Sequence, residues 1–243
     1  MRPEDDAYGQ EILAHLLRRE SFEVVERDDG LVGLSSGARA YFSDYEDWIP
    51  IERRAIKLAR GRVLDVGCGA GRVCLYLQKR GLKVTGIDIS PKAIEVCKKR
   101  GVKKALVLPI EKISSFKPDS FDTIVMFGNN FGLFGSYEKA KALLKQMYNM
   151  TSRDAIILAE SNDPYKTGDP VHLAYHALNR DRGRMGGQLR IRIRFRQYVG
   201  EWFDYLLASR KETKDILLGT GWRVKRFIGS GGSLYVAVMK KES

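Results

Sequence analysis

The stretch that decides the fold is Val63-Leu64-Asp65-Val66-Gly67-Cys68-Gly69-Ala70-Gly71-Arg72. An apolar run of the kind that forms buried strands leads into three glycines at alternate positions, and a helix-like segment follows. Glycine permits positive φ and has no Cβ, so the backbone of this turn can lie close to a ligand. The following helix directs free N–H groups and the positive end of its dipole at the turn, which suits a carboxylate or phosphate. The acid Asp65 suits an ammonium group, so a ligand that carries both charges would satisfy both demands.

A second acid lies at the end of the next predicted strand, Leu82-Lys83-Val84-Thr85-Gly86-Ile87-Asp88. Asp88 comes roughly 20 residues after the glycines, where a βαβ nucleotide-binding unit places a carboxylate on ribose hydroxyls. The glycines read G-x-G-x-G instead of the G-x-G-x-x-G of a dinucleotide fingerprint, which leaves an NAD-dependent oxidoreductase as a distant alternative. A tight turn that binds nothing would not explain why an acid ends both strands.

Residues 65–71 resemble the first motif of the class I S-adenosylmethionine-dependent methyltransferases, (D/E)-x-G-x-G-x-G. Asp88-Ile89-Ser90-Pro91 resembles that family's ribose corner, and residues 120–126 resemble its fourth strand. The resemblance covers residues 48–161 and returns after residue 221. It implies an α/β fold with a Rossmann-like, doubly wound, seven-stranded sheet, mostly parallel with an antiparallel C-terminal strand and with helices on both faces.

The resemblance also implies S-adenosyl-L-methionine as the cofactor. Asp65 would order the loop and favour the ammonium group, Asp88 would bind the ribose hydroxyls, and Ile89 would pack on the adenine. Many relatives bind the adenine amino group with an aspartate after the third strand. This chain has Leu108-Pro109-Ile110-Glu111-Lys112 there, so Ile110 would offer its backbone and Glu111 its side chain. The predicted cofactor-binding residues are Trp48, Asp65, Gly67, Cys68, Gly69, Asp88, Ile89, Ile110, Glu111, Phe127 and Asn129.

The segment Phe127-Gly128-Asn129-Asn130-Phe131-Gly132 leaves the carboxyl end of the fourth predicted strand of the core. Open α/β sheets bind ligands at that edge. Asn129 and Asn130 could hydrogen-bond a substrate nucleophile there, or they could satisfy the backbone of their own tight loop. The segment lacks the Asn-Pro-Pro-Tyr of relatives that act on nucleobases, which makes base methylation a weaker prediction.

Two histidines, His172 and His176, would share one face if their segment is helical. They are candidates for a general base or for metal ligands, but no third ligand has suitable spacing, so we predict no metal site. The predicted catalytic residues are Asn129, Asn130 and His176. Aromatic residues from Tyr41 to Trp48 either cover the cofactor pocket or pack the N-terminal helices on the sheet.

Positive charge is the second unusual feature, since the net charge is +12 with a pI near 9.6. Residues 189–196 alternate apolar side chains with Arg190, Arg192, Arg194 and Arg196, which predicts a strand with one arginine face. This arginine face either binds an anion or is paired to local acids such as Glu201 and Asp204. If the arginine face lines the active site, the substrate is predicted to be acidic. If the arginine face is part of a broad basic surface, RNA becomes a candidate substrate.

We therefore hypothesise a methyltransferase that acts on a small molecule by in-line displacement at a sulfonium methyl carbon. The acceptor is anionic if the arginine face lines the site. The alternatives are an RNA (tRNA or rRNA) methyltransferase and a non-catalytic cofactor-binding module.

The predicted division of the chain is a helical and hairpin cap at 1–60 and a core at 61–243, with an insert at about 162–208. Three cysteines without metal spacing, an amino terminus unlike a signal peptide and the lack of a long apolar run predict a cytoplasmic protein with no membrane partner.

Overall fold

The computed structural model of this chain describes residue 2 and residues 4–35, 37–229 and 231–242. Within them the helices are α1 (Ala7–Leu16), α2 (Gly37–Phe42), α3 (Pro50–Ile56), α4 (Arg72–Lys79), α5 (Pro91–Lys99), α6 (Tyr137–Met150), α7 (Pro170–Asp181) and α8 (Arg210–Leu217). The strands are β1 (Val24–Arg27), β2 (Val32–Leu34), β3 (Arg62–Val66), β4 (Lys83–Asp88), β5 (Ala105–Val107), β6 (Phe121–Met126), β7 (Thr151–Asn162), β8 (Gln188–Phe195), β9 (Tyr198–Val199), β10 (Phe203–Leu206), β11 (Trp222–Gly229) and β12 (Leu234–Lys241). Short 3-10 turns occupy Tyr45–Asp47, Ile110–Ser115 and Asn130–Phe134.

The described residues form a seven-stranded sheet in the order β11-β12-β7-β6-β3-β4-β5. β3 and β4 pair in parallel, as do β6 and β7, whereas β12 is antiparallel to both β7 and β11. β3 is buried from Val63 to Val66, as expected of a parallel strand covered by helices. This topology confirms the predicted fold class.

Caps visible in the sequence set the helix boundaries. Ser90 accepts a hydrogen bond from Ala93 N at the start of α5, where Pro91 takes the first helical position. Ser209 and Glu212 form a reciprocal capping box at the start of α8. Asp169 precedes Pro170 in the same way, and it starts a helix, α7, inside the segment predicted as an insert.

A second sheet has the order β10-β8-β1-β2, with β9 beside β8. β1 and β2 form the predicted hairpin, and β8 pairs antiparallel with β1. The strand predicted over residues 189–196 corresponds to β8, except that its last residue lies outside the strand. β8 ends at Phe195, Arg196 takes a left-handed φ of 52°, and β9 folds back on β8.

The chain forms two compact units. The first unit comprises Met1–Trp48, Arg62–Ile110 and Arg190–Phe203, and the second comprises Ile49–Gly61, Glu111–Leu189 and Asp204–Ser243. In the first unit, Tyr8 and Ile12 of α1 pack with Ala70 and with α5. The predicted division into a cap, a core and an insert stays a prediction.

Candidate functional site

The glycine-rich loop between β3 and α4 adopts the backbone that the sequence predicts. Gly67, Gly69 and Gly71 have φ values of 70°, 53° and 82°, in the left-handed region that favours glycine. Gly67 N and Cys68 N both donate to Ile87 O, at 2.9 and 3.0 Å, so the loop is fixed to the end of β4. Two other N–H groups of the loop also have partners inside the protein, since Gly69 N donates to Asp88 and Gly71 N to Cys68 O. The free N–H groups expected from the sequence belong to the start of the following helix, α4, and that expectation stays a prediction.

Asp88, the last residue of β4, connects the loop to the start of α5. Its Oδ2 accepts from Gly69 N at 3.0 Å, and its Oδ1 accepts from Ser90 N at 2.9 Å. The residue is only 6% exposed. Burial raises the pKa of this carboxyl to about 6, and the two backbone hydrogen bonds oppose that rise. An ionised carboxylate has about four acceptor positions, so Asp88 keeps capacity for two hydroxyl groups of a sugar.

Asp65 lies in β3 and is 2% exposed. Cys74 Sγ of α4 donates to its Oδ2 at 3.2 Å. Burial raises the pKa of Asp65 from 3.8 to about 7, while the Cys74 hydrogen bond and the positive charge of Arg72 oppose the rise. A carboxyl that is costly to ionise in this environment is stabilised as an anion by an incoming ammonium group.

Three thiols fill the space behind the loop. Cys68 Sγ lies 3.8 Å from Cys97 Sγ, and Cys97 Sγ donates to Gly69 O at 3.0 Å. The hydrogen bond with Cys68 and burial both raise the pKa of the Cys97 thiol. Buried thiols with raised pKa values are poor nucleophiles, so these cysteines pack the loop in the reduced state.

The residues predicted to surround an adenine ring differ in exposure. Ile89 follows Asp88 and is 50% exposed, which is unusual for an isoleucine next to a buried strand. Ile110 begins a 3-10 turn and is half-buried. In the second unit, Glu111 is exposed and its Oε1 lies 3.8 Å from Lys139 Nζ.

Trp48 is buried against α4. Its Nε1 donates to Ser43 O at 3.1 Å, and its ring packs with those of Tyr45 and Tyr76, at centroid separations of 5.7 and 5.3 Å. The Arg72 guanidinium lies 4.7 Å from the ring centre. These contacts favour the packing interpretation of the N-terminal aromatic residues, and the role of Trp48 as a cofactor ligand stays a prediction.

In the second unit, the loop after β6 is held by two other strands. Gly128 N donates to Glu160 Oε2 of β7 at 3.2 Å, and Tyr205 Oη of β10 donates to Asn129 O at 2.6 Å. Gly132 lets the Tyr205 ring lie directly on the loop, since a Cβ there would overlap the ring. Phe127, the first residue of this segment after β6, is buried.

Asn129 itself takes a left-handed φ of 65°. Its side-chain Oδ1 is buried and, among the described residues, has no hydrogen-bond partner. A buried acceptor without a donor is costly, so this oxygen is suited to a donor that the protein itself does not supply. Asn130 is half-buried at the start of the following 3-10 turn.

His172 and His176 lie on a helix, α7, so the condition under which they share one face is met. His176 is buried, and its ring packs with that of Tyr165 at a centroid separation of 5.5 Å. Tyr165 Oη in turn donates to Glu212 Oε1 of α8 at 2.6 Å. The contacts of His176 on this side are those of packing, and its catalytic role stays a prediction.

The arginine face of β8 is paired to an acid that we did not predict. Arg192 donates twice to the Glu26 carboxylate, at 2.8 and 2.9 Å, and stacks 4.5 Å from the centre of the Trp202 ring. Arg194 lies 3.3 Å from the same carboxylate, and Arg196 donates to Glu20 O. The partner is thus Glu26 of β1, which the β1–β8 register places opposite Arg192. The pairing of other arginines with Glu201 and Asp204 stays a prediction.

The sequence analysis did not identify two residues near the loop, Asp6, which precedes α1, and Tyr8, which lies in α1. Asp6 is 1% exposed and accepts from Gly9 N, Ser90 Oγ and Lys92 N, at 2.9, 2.9 and 3.1 Å. Tyr8 lies against the loop at Gly69. The available indication was that Asp is a favoured helix N-cap residue.

Among the residues that the structure describes, no group of three or more His, Cys, Asp or Glu side chains is arranged to hold a metal ion. In the same part of the chain, no helix combines the length and the apolar character needed to cross a bilayer.

Comparisons with known proteins agree with this geometry. Residues 63–154 match the family described as "Methyltransferase domain". Over the whole chain the fold is similar to a SAM-dependent methyltransferase from Bacteroides fragilis that was crystallised with S-adenosyl-L-homocysteine. The TM-score is 0.85 and the identity 26%, covering 100% of this chain and 98% of that one.

Two curated relatives match over shorter stretches. A protein of Geobacillus sp. (strain WCH70) named as a methyltransferase is 22% identical over 131 residues, covering 50% of this chain and 52% of the relative. A ubiquinone biosynthesis O-methyltransferase of Xanthomonas euvesicatoria pv. vesicatoria is 34% identical over 74 residues, covering 28% of this chain and 31% of the relative. The match thus spans about half of the first relative and about a third of the second.

Proposed function

We propose that this chain, which carries a class I S-adenosylmethionine-dependent methyltransferase domain, transfers a methyl group to a small acceptor. The resemblance found in the sequence is confirmed, and so is S-adenosyl-L-methionine as the cofactor of this domain. The whole chain's activity and its acceptor belong to the proposal.

The observation that carries the proposal is the buried carboxylate of Asp88, fixed by two backbone N–H groups at the end of β4. It would hold the ribose hydroxyls, Asp65 would favour the ammonium group, and the exposed Ile89 would cover the adenine. When bound, the cofactor supplies a methyl group that its sulfonium charge activates. The contribution of the protein is to exclude water and align the acceptor with that group, which can supply roughly 7–11 kcal/mol of the barrier.

Asn129 is the residue that we assign to the acceptor. Its buried Oδ1 has no donor among the described residues, and Tyr205 and Gly132 hold its loop in place. An amide oxygen can accept a hydrogen bond from an acceptor O–H or N–H and so orient the attacking lone pair. The ubiquinone biosynthesis O-methyltransferase relatives favour a small hydroxyl-bearing acceptor over RNA.

The arginine face offers less support for an anionic acceptor or RNA than its composition suggested. Arg192 and Arg194 share one carboxylate, and Arg196 is bonded to a backbone oxygen. The chain as a whole nevertheless has a net charge of +12. Methylation of RNA is therefore an alternative that the activity test must address. The cytoplasmic location expected from the cysteines stays part of the proposal.

Turnover with a panel of phenols, catechols, amines and carboxylic acids, read out as S-adenosylhomocysteine release, tests the activity. We expect turnover with a small acceptor, and a decrease in kcat of about tenfold or more in Asn129→Ala because one oriented hydrogen bond is lost. Asn129 is also among the predicted cofactor-binding residues, and affinity for S-adenosylhomocysteine separates the two roles. We expect this affinity to stay within twofold. Asn149→Ala, at an exposed position of α6, is the matched control.

Two results would reject the proposal. Tight S-adenosylhomocysteine binding without turnover of any acceptor class would indicate a binding module. Turnover with RNA alone would indicate the alternative substrate class.

A further inference from the structure

Tyr8 of α1 contacts the glycine-rich loop at its middle glycine. A Cβ built on Gly69 would lie 2.7 Å from Tyr8 Oη. Gly69 is thus required twice, once for its left-handed φ of 53° and once because the tyrosine hydroxyl occupies the space that a side chain would need.

The Tyr8 hydroxyl is a donor without a partner. Its ring packs edge-on against Tyr41 at a centroid separation of 5.2 Å. Among the described residues the hydroxyl makes no hydrogen bond. Burial raises the pKa of Tyr8 well above its usual value, so the phenol keeps its proton at physiological pH. A protonated phenol beside a ligand-binding loop is a hydrogen-bond donor to the ligand.

Helix α1 is fixed in place next to the loop. Asp6 accepts from Ser90 Oγ and Lys92 N at the start of α5, and Ser90 N donates to Asp88. Ile12 and Tyr8 pack on Ala70 and on α5. One serine therefore connects the N-cap of α1 with the carboxylate assigned to the ribose, and the position of Tyr8 is defined relative to both.

The charges of the cofactor decide which of its groups needs this donor. Asp88 offers acceptors for the sugar hydroxyls, and Asp65 offers one for the ammonium group. The α-carboxylate needs donors besides the N–H groups expected at the start of α4, and the loop supplies few, since the N–H groups of Gly67, Cys68, Gly69 and Gly71 already bond to protein oxygens. We propose that the Tyr8 hydroxyl donates a hydrogen bond to the α-carboxylate of the bound cofactor, which makes α1 part of the cofactor site. This inference rests on the proposed function.

The two neighbouring tyrosines provide a matched test. Tyr41 Oη lies 3.3 and 3.4 Å from the oxygens of buried Glu23, so this hydroxyl, unlike that of Tyr8, has an acceptor inside the protein. Calorimetry would compare S-adenosylhomocysteine with 5′-methylthioadenosine, which has the same nucleoside but neither the carboxylate nor the ammonium group; of these two groups only the carboxylate accepts a hydrogen bond from a phenol. We expect Tyr8→Phe to weaken S-adenosylhomocysteine binding about tenfold, because a charge-assisted hydrogen bond is lost, and to change 5′-methylthioadenosine binding less than twofold. We expect Tyr41→Phe to lower Tm and leave both affinities within about twofold, because Glu23 loses a donor.

Each other outcome is decisive. If wild type fails to bind S-adenosylhomocysteine, the proposed function is wrong. If wild type binds and Tyr8→Phe binds equally well, only the Tyr8 inference is wrong. An equal loss for both ligands would place the hydroxyl on the nucleoside and overturn the carboxylate assignment. If circular dichroism shows that Tyr8→Phe does not fold, Asp6→Asn replaces it, because this variant loosens the attachment of α1 to α5. We then expect S-adenosylhomocysteine binding to weaken more than 5′-methylthioadenosine binding. Equal changes for the two ligands would contradict the inference.

Discussion

The glycine-rich loop and the arginine face of β8 both predict anion binding from sequence, but their carboxylates differ in the structure. Burial raises the pKa values of Asp65 and Asp88 to about 7 and about 6. Hydrogen bonding from Arg192 lowers the pKa of Glu26. A raised pKa marks a buried acid that lacks a full complement of positive partners, whereas a lowered one marks an acid whose partner is already present. The loop is therefore equipped to gain a ligand, and the arginine face is already paired within the protein.

The largest expected effect concerns the backbone of the loop. At Gly71 a Cβ would lie 2.6 Å from Val102 Cγ2 and 3.0 Å from Cys97 Sγ, at a φ of 82°. We expect Gly71→Ala to lower the free energy of unfolding by about 3 kcal/mol, because left-handed strain adds to overpacking. Gly81 has a φ of 79° and nothing within 4 Å of its Cβ position, so Gly81→Ala is the control at about 1 kcal/mol. Urea unfolding measures the free energy of unfolding of both variants. An equal decrease in the two variants would mean that the loop is not closely packed.

A smaller effect is expected when the charge of Asp65 is removed. The native state holds this proton up to about pH 7, whereas the unfolded state releases it near 3.8. Stability without cofactor therefore falls as pH rises through this window. We expect Asp65→Asn, which can still accept from Cys74, to exceed wild type by about 2 kcal/mol at pH 8 and to match it near pH 4. A variant less stable than wild type at pH 8 would contradict the raised pKa.

The smallest expected effect is on the arginine face, with the opposite dependence on pH. Because the pKa of Glu26 is lowered, the stability it contributes is present above its unfolded pKa and is lost as pH falls through the folded value. Glu26→Gln should lower Tm slightly at pH 7, and the difference should vanish in acid and shrink in high salt. S-adenosylhomocysteine affinity should not change. A loss of affinity would mean that the comparison between the two regions is wrong and that the arginine face contributes to the site.

Local features of the fold were predictable from the sequence because their causes are local. The order of strands and helices from β3 to α6 follows from apolar runs, caps and glycines within a few residues of each boundary. Helix α7 was left open by the sequence analysis, although Asp169 and Pro170 form a local start motif. Asn129 was identified from its place after β6.

Partners that are distant in sequence were not predictable. Glu26 and Arg192 are 166 positions apart, and their pairing depends on the register of β1 and β8. Tyr8 reaches Gly69 only because Asp6 fixes α1 on α5. Tyr205 and Asn129, 76 positions apart, meet through the approach of β10 to the loop. Each depends on a tertiary contact that one sequence without relatives does not specify.

Isothermal titration of S-adenosylhomocysteine into wild type and Asp88→Ala tests the central claim most directly. We expect one site per chain with micromolar affinity in wild type. We expect no measurable binding in the variant, because both the ribose acceptor and the partner of Gly69 N are lost. Equal binding by the two proteins, or no binding by wild type, would contradict the assignment of Asp88 to the cofactor.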